Sequence, residues 1–140
     1  MIKLNNLERQ HLSIMEEISL VACEINKGAA KINVSDAALY INRLAGKLKI
    51  HMLEEDKYLY PELLTCSDPE IRMITTKYIS EMGDLAEQYI QFKNKYNVGS
   101  KIAANMEVFL GDTRKILDAL TGRMKKEDKG LYQLIKDKNL

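Results

Sequence analysis

Residues 48–60 read L-K-I-H-M-L-E-E-D-K-Y-L-Y. Working back from Leu48 by threes and fours meets Leu44, Ile41 and Ala37, the spacing of the buried face of an amphipathic α-helix. Working forward, the same face is taken by His51 and Glu55, so an imidazole and a carboxylate stand one turn apart and reach a common point. An unpaired carboxylate on such a face costs roughly several kcal/mol. A metal ion, a cation from another helix, or a proton is therefore expected to compensate it.

The 140 residues suit a single domain, with 21 basic residues set against 20 acidic ones. That balance, with no basic stripe, argues against nucleic acid as a partner. No apolar run approaches the ~18 residues of a membrane span, and no leader pattern opens the chain, so no membrane partner and a cytoplasmic location are expected. Cys23 and Cys66 lack a close cysteine partner and read as two reduced, partly buried thiols. Two prolines, no tryptophan and long stretches free of turn residues suit an all-α fold.

Four amphipathic helices follow from the pattern, over about 5–27, 35–64, 68–96 and 100–137. The first carries Leu7, His11, Ile14, Ile18, Val21 and Ile25 along one seam, which places His11 inside it, and Gly28 suits a left-handed cap. Ser35 or Asp36 is positioned to cap the second helix, with a bend expected at Pro61. Ser67-Asp68-Pro69-Glu70 starts the third, whose seam runs Ile71, Ile74, Tyr78, Met82, Leu85, Tyr89, Phe92 and Tyr96. The fourth presents Ile102, Met106, Phe109, Thr113, Ile116, Leu120, Arg123, Glu127, Leu131 and Leu134. Short connections make an antiparallel up-down-up-down four-helix bundle the simplest arrangement. Tyr40, Tyr58, Tyr78 and Tyr89 fall on or beside buried faces and read as packing residues with hydrogen-bonded tips.

The motif recurs. A shift of 72 positions superposes Leu48, Glu55, Asp56, Lys57, Leu59 and Tyr60 on Leu120, Glu127, Asp128, Lys129, Leu131 and Tyr132, and brings His51 onto Arg123. A shift of 71 brings Gln10-His11 onto Glu81-Met82. The two halves read as copies of one helical hairpin, the arrangement from which carboxylate metal centres are built in bundles. The first half keeps both histidines and the second has neither.

On these residues the chain resembles the hemerythrin-like, or HHE cation-binding, family over all four helices. The phrase H-M-L-E-E-D-K-Y-L-Y-P-E-L, from His51, is similar to that family's second-helix signature, and R-M-K-K-E-D-K-G-L-Y, from Arg123, to its fourth. The resemblance implies a non-haem iron centre with an open position for a small ligand. It implies His11, His51 and Glu55 as metal ligands and Glu127 as a helix-four carboxylate, with Asp128 as the alternative at five-residue spacing. Met82 and Arg123 stand where the family places histidines, so a five-histidine diiron set is excluded.

Two functional expectations follow. In the first, one iron ion on His11, His51, Glu55 and Glu127 binds or senses dioxygen, nitric oxide or peroxide, with Met82, Arg123 and Asp128 around it. In the second, the bundle is a metal-free structural or protein-interaction domain, in which the Arg123 guanidinium neutralises Glu55 or Glu127. Met82 reads as packing rather than as a thioether ligand. A phosphorylatable histidine needs an exposed ring, which neither seam offers, and no hydrolytic triad is present.

Overall fold

The computed structural model describes residues 2–140. Among them there is no strand, and the chain forms four helical rods. The first is α1 (Asn5–Ile25). The second runs from α2 (Val34–Glu54) through a π-helical turn, π1 (Glu55–Leu59), into α3 (Tyr60–Leu64). The third is α4 (Pro69–Tyr96). The fourth comprises α5 (Gly99–Ala104), α6 (Met106–Lys126), a second π turn, π2 (Glu127–Leu131), and α7 (Tyr132–Asp137). α1 packs on α2, α2 on α4, α4 on α6 and α6 on α1, so the rods follow chain order around the bundle. Among the described residues no helix is long and apolar enough to cross a membrane.

Local chemistry sets the boundaries, and several differ from expectation. α1 ends at Ile25, two residues early; Gly28 beyond it takes φ +89°, a conformation costly for a side chain with a Cβ. α2 is capped by Asn33, whose side chain accepts from Asp36 N, rather than by Ser35 or Asp36. α4 starts at the expected Ser67-Asp68-Pro69-Glu70 stretch, capped by Asp68, with Pro69 in the first turn. The fourth rod is interrupted at Asn105, where φ −143° and ψ 57° leave helical space. The irregularity in the second rod precedes Pro61, at Glu55–Leu59, because the wide turn rather than the proline ring resets the helix register.

Two apolar clusters fill the interior. One contains Ile14, Leu44, Leu48, Met82, Leu120 and Met124; the other contains Leu7, Leu59, Leu63, Ile71, Leu131 and Tyr132. His11 lies in sequence between Leu7 and Ile14, His51 and Glu55 between Leu48 and Leu59, and Glu127 between Met124 and Leu131. The polar residues thus form a layer between two dry cores. Most of the expected seam residues are buried on all four rods; the exceptions are Ile74, whose inward place Thr75 takes, and Met106 and Leu134 on the fourth rod, all three half-buried. Tyr78 and Tyr89 are buried, whereas Tyr58 is exposed because the π turn rotates it outward. Both cysteines are free, Cys66 half-buried and Cys23 exposed.

Candidate metal centre

Each π turn begins with a glutamate and closes on a tyrosine. The amide of Tyr60 donates back to the Glu55 carbonyl, and that of Tyr132 to the Glu127 carbonyl, five residues apart in both cases. A turn with one extra residue lets Glu55, Leu59 and Tyr60 all face inward, as Glu127, Leu131 and Tyr132 do. Wide turns of this kind inside helices are frequent at functional sites. The 72-residue repeat is therefore physical: the two copies carry the same irregularity at the same place.

His11, His51, Glu55 and Glu127 converge and are all buried; Glu55, Glu127 and His51 are completely so. The two Nε2 atoms lie 3.0 Å apart. His51 Nε2 is 3.2 Å from Glu55 Oε1, and His11 Nε2 is 3.9 Å from Glu127 Oε1. Each Nδ1 faces an acceptor outside this cluster. His11 Nδ1 donates to Asp128 Oδ1 at 2.6 Å, and His51 Nδ1 to Gln10 Oε1 at 2.8 Å. With both Nδ1 protons so assigned, the two neutral rings aim Nε2 lone pairs at one another. Two acceptors 3.0 Å apart repel one another, and a cation bound by both Nε2 atoms would relieve that repulsion.

The carboxylates are in a similar position. Glu55 Oε1 and both oxygens of Glu127 are buried without a hydrogen-bond donor. Burial lowers the affinity of both imidazoles for protons. Burial, reinforced by the neighbouring Glu55 carboxylate, pushes Glu127 up to about 8, and burial also raises Glu55. Without a metal, Glu127 thus holds its proton at neutral pH.

The donor set fits a metal ion. Two nitrogens bound at about 2.1 Å in adjacent octahedral positions stand about 3.0 Å apart, against about 3.4 Å in a tetrahedron. The observed Nε2 separation matches the octahedral edge. His11, His51 and Glu127 present ligand atoms all within 4.8 Å of one another, and Glu55 Oε1 adjoins His51. The Asp128 carboxylate and the Gln10 amide fix ring tautomer and orientation, as groups behind a metal-bound histidine commonly do.

The other half of the layer is different. Arg123 is 6 % exposed, so it does not extend to solvent. Its Nη2 donates to the Tyr78 carbonyl at 2.7 Å, Nη1 to Glu81 at 3.2 Å, and Nε lies 3.5 Å from Glu127 Oε1. The guanidinium also lies over the Tyr78 ring, 4.5 Å from its centre. These contacts mirror the first half: Gln10 holds His51, which faces Glu55, while Glu81 holds Arg123, which faces Glu127. Met82 is buried in the apolar cluster, so packing is its role. It also walls a cavity of about 140 Å³ beside Glu55, together with Met52, Asp56, Tyr60, Ile79 and Gly83.

Of the residues expected at the site, the structure brings His11, His51, Glu55 and Glu127 together, with Arg123 at one edge. Asp128 sits outside, its side chain 46 % exposed, and reaches His11 from the solvent side. Sequence reasoning missed Gln10, Tyr60 and Tyr132 as site residues. The tyrosines were visible as a matched pair in the 72-residue repeat; Gln10 gave no signal beyond preceding His11. Glu17 was also missed. It is fully buried between α1 and α2, with its charge met by Arg43 at 2.7 Å and Lys47 at 3.1 Å.

The family model described as Hemerythrin HHE cation binding domain matches residues 3–135. No curated protein and no solved structure matches the chain.

Proposed function

The chain belongs to the hemerythrin HHE cation-binding domain family, and from that membership we propose that it holds one metal ion, iron, on His11, His51, Glu55 and Glu127 and binds or senses a small ligand there. The observation that carries this reading is the pair of buried imidazole nitrogens 3.0 Å apart with both Nδ1 atoms committed elsewhere. A reduced iron in this position supplies an electron-rich centre for dioxygen, nitric oxide or peroxide. The protein supplies the rest. Asp128 and Gln10 hold the rings, the two apolar clusters flank the layer, and the cavity of about 140 Å³ beside Glu55 has room for a small molecule such as a diatomic gas.

One ion rather than two is supported by Arg123. Its fixed positive charge faces Glu127 from the side where the family's second set of histidines would stand, and a second divalent cation there would meet strong repulsion. The same contact favours a second reading, a metal-free interaction domain in which Arg123 and a proton on Glu127 balance the layer. Elemental analysis after expression with supplemental iron separates the two. About one equivalent per chain, lost in His51→Ala, is the expected outcome. No metal in the parent protein, with a melting temperature indifferent to chelator, leaves the interaction domain.

A further inference from the structure

Tyr132 is wholly buried, and its ring stacks on that of His11 at a 14° interplanar angle. This fixes the phenol oxygen 3.4 Å from His11 Nε2 and 3.0 Å from Glu55 Oε2, to which the hydroxyl donates. The two oxygens of Glu55 are thereby divided. Oε2 holds the phenol, and Oε1, without a donor, faces His51 Nε2. The phenol oxygen therefore stands 3.4 Å from one of the two imidazole nitrogens that face the candidate ion position, close enough for both atoms to bind one ion.

We propose that the phenol oxygen of Tyr132 is itself a ligand of the ion held by His11, His51 and the two glutamates. The proposal rests on the metal-binding reading above and deepens it. On binding, the Tyr132 O–H bond breaks, its proton passes by way of the hydrogen bond to Glu55 Oε2 and is released to water, and the freed lone pair goes to the ion. Glu55 keeps Oε1 for the metal, and no oxidation state changes. A bound cation makes this loss of a phenol proton favourable where the buried side chain alone would resist it. The resulting set of two nitrogens and three oxygens is hard, and it favours a trivalent ion over a divalent one. Tyr132 thus takes up part of the donor capacity that the chain lacks with only two histidines.

The test is optical. Protein loaded with iron(III), its metal content fixed by elemental analysis, is expected to show a visible phenolate-to-iron charge-transfer band. Resonance Raman excitation into that band should show tyrosine ring modes that shift on ring deuteration. Tyr132→Phe should lose the band while its helical circular dichroism stays; Tyr60→Phe, which alters the matching tyrosine beside Glu55, should keep it. Should Tyr132→Phe not fold, the deuteration shift in the parent together with the band in Tyr60→Phe still identifies Tyr132, because the other buried tyrosines, Tyr78, Tyr89 and Tyr96, donate to the Lys126 carbonyl, the Ile41 carbonyl and Asp112, away from the two histidines. A parent chain with about one ion and no such band overturns the Tyr132 assignment alone, as does a band that disappears in Tyr60→Phe. A parent chain that takes up no metal overturns the assignment and the metal-binding reading together.

Discussion

His11 and His51 each commit Nδ1 to an acceptor outside the cluster, so the charge state of the layer turns on the two neighbouring carboxylates, Glu127 and Glu55, both of which burial pushes towards the neutral acid. In the metal-free chain Glu127 binds a proton up to about pH 8, against a reference value of 4.5. Its contribution to folding is therefore fully present below 4.5 and is lost as pH rises through about 8. The imidazoles act the other way: held neutral by burial, they cost stability as pH falls through 6.5. Between pH 6.5 and 8 the glutamate dominates, and unfolding free energy of the metal-free protein should fall by about 1 to 2 kcal/mol over that interval. Glu127→Gln removes the titrating group and should flatten the slope. Urea unfolding at several pH values checks both statements, and an unchanged slope in the variant would move the titration from Glu127 to Glu55.

At the scale of the element, the two π turns explain why a glutamate and a tyrosine five residues apart share one interior. An unbroken α-helix turns residue i+5 well away from residue i, and the wide turn brings it back. The second copy carries glycine at position 130 where the first has Tyr58. A Cβ there would overlap the hydroxyl of Tyr78, which donates to the Lys126 carbonyl at 3.1 Å. Tyr78 also provides the carbonyl and the ring face that hold Arg123. Gly130→Ala should therefore displace Tyr78 and loosen the arginine, at a cost of about 1 to 3 kcal/mol. Thermal melting measures the loss. A variant as stable as the parent would mean that the α4–π2 contact rearranges without penalty.

For the whole molecule, the governing feature is a two-fold repeat whose halves have diverged in charge. Gln10, His51 and Glu55 on one side correspond to Glu81, Arg123 and Glu127 on the other, and His11 corresponds to Met82. One half offers lone pairs and the other a fixed cation. Restoring imidazoles in the second half, with Met82→His and Arg123→His together, removes the repulsion and adds two nitrogen donors. The double variant should raise iron content from about one to about two equivalents per chain. Metal analysis at matched protein concentration checks this, and a count that stays at one would place the limit elsewhere than in the charge of Arg123.

The pattern of apolar residues fixed the bundle, because a three-four spacing permits only a helix with one buried side, and four such stretches with short joins bury those sides against each other. It also placed His11, His51, Glu55 and Glu127 inward, since each falls on a seam. Three matters waited for the folded chain. Whether Glu127 or Asp128 enters the layer depended on the helix phase at π2, which spacing alone leaves open by one residue. The direction of Arg123 depended on Tyr78 and Glu81, which lie more than forty residues away in sequence. The place of Tyr132 beside His11 depended on the join between the first and last rods. Periodicity tells which side of a helix is dry; only packing tells which side chains from different helices meet there.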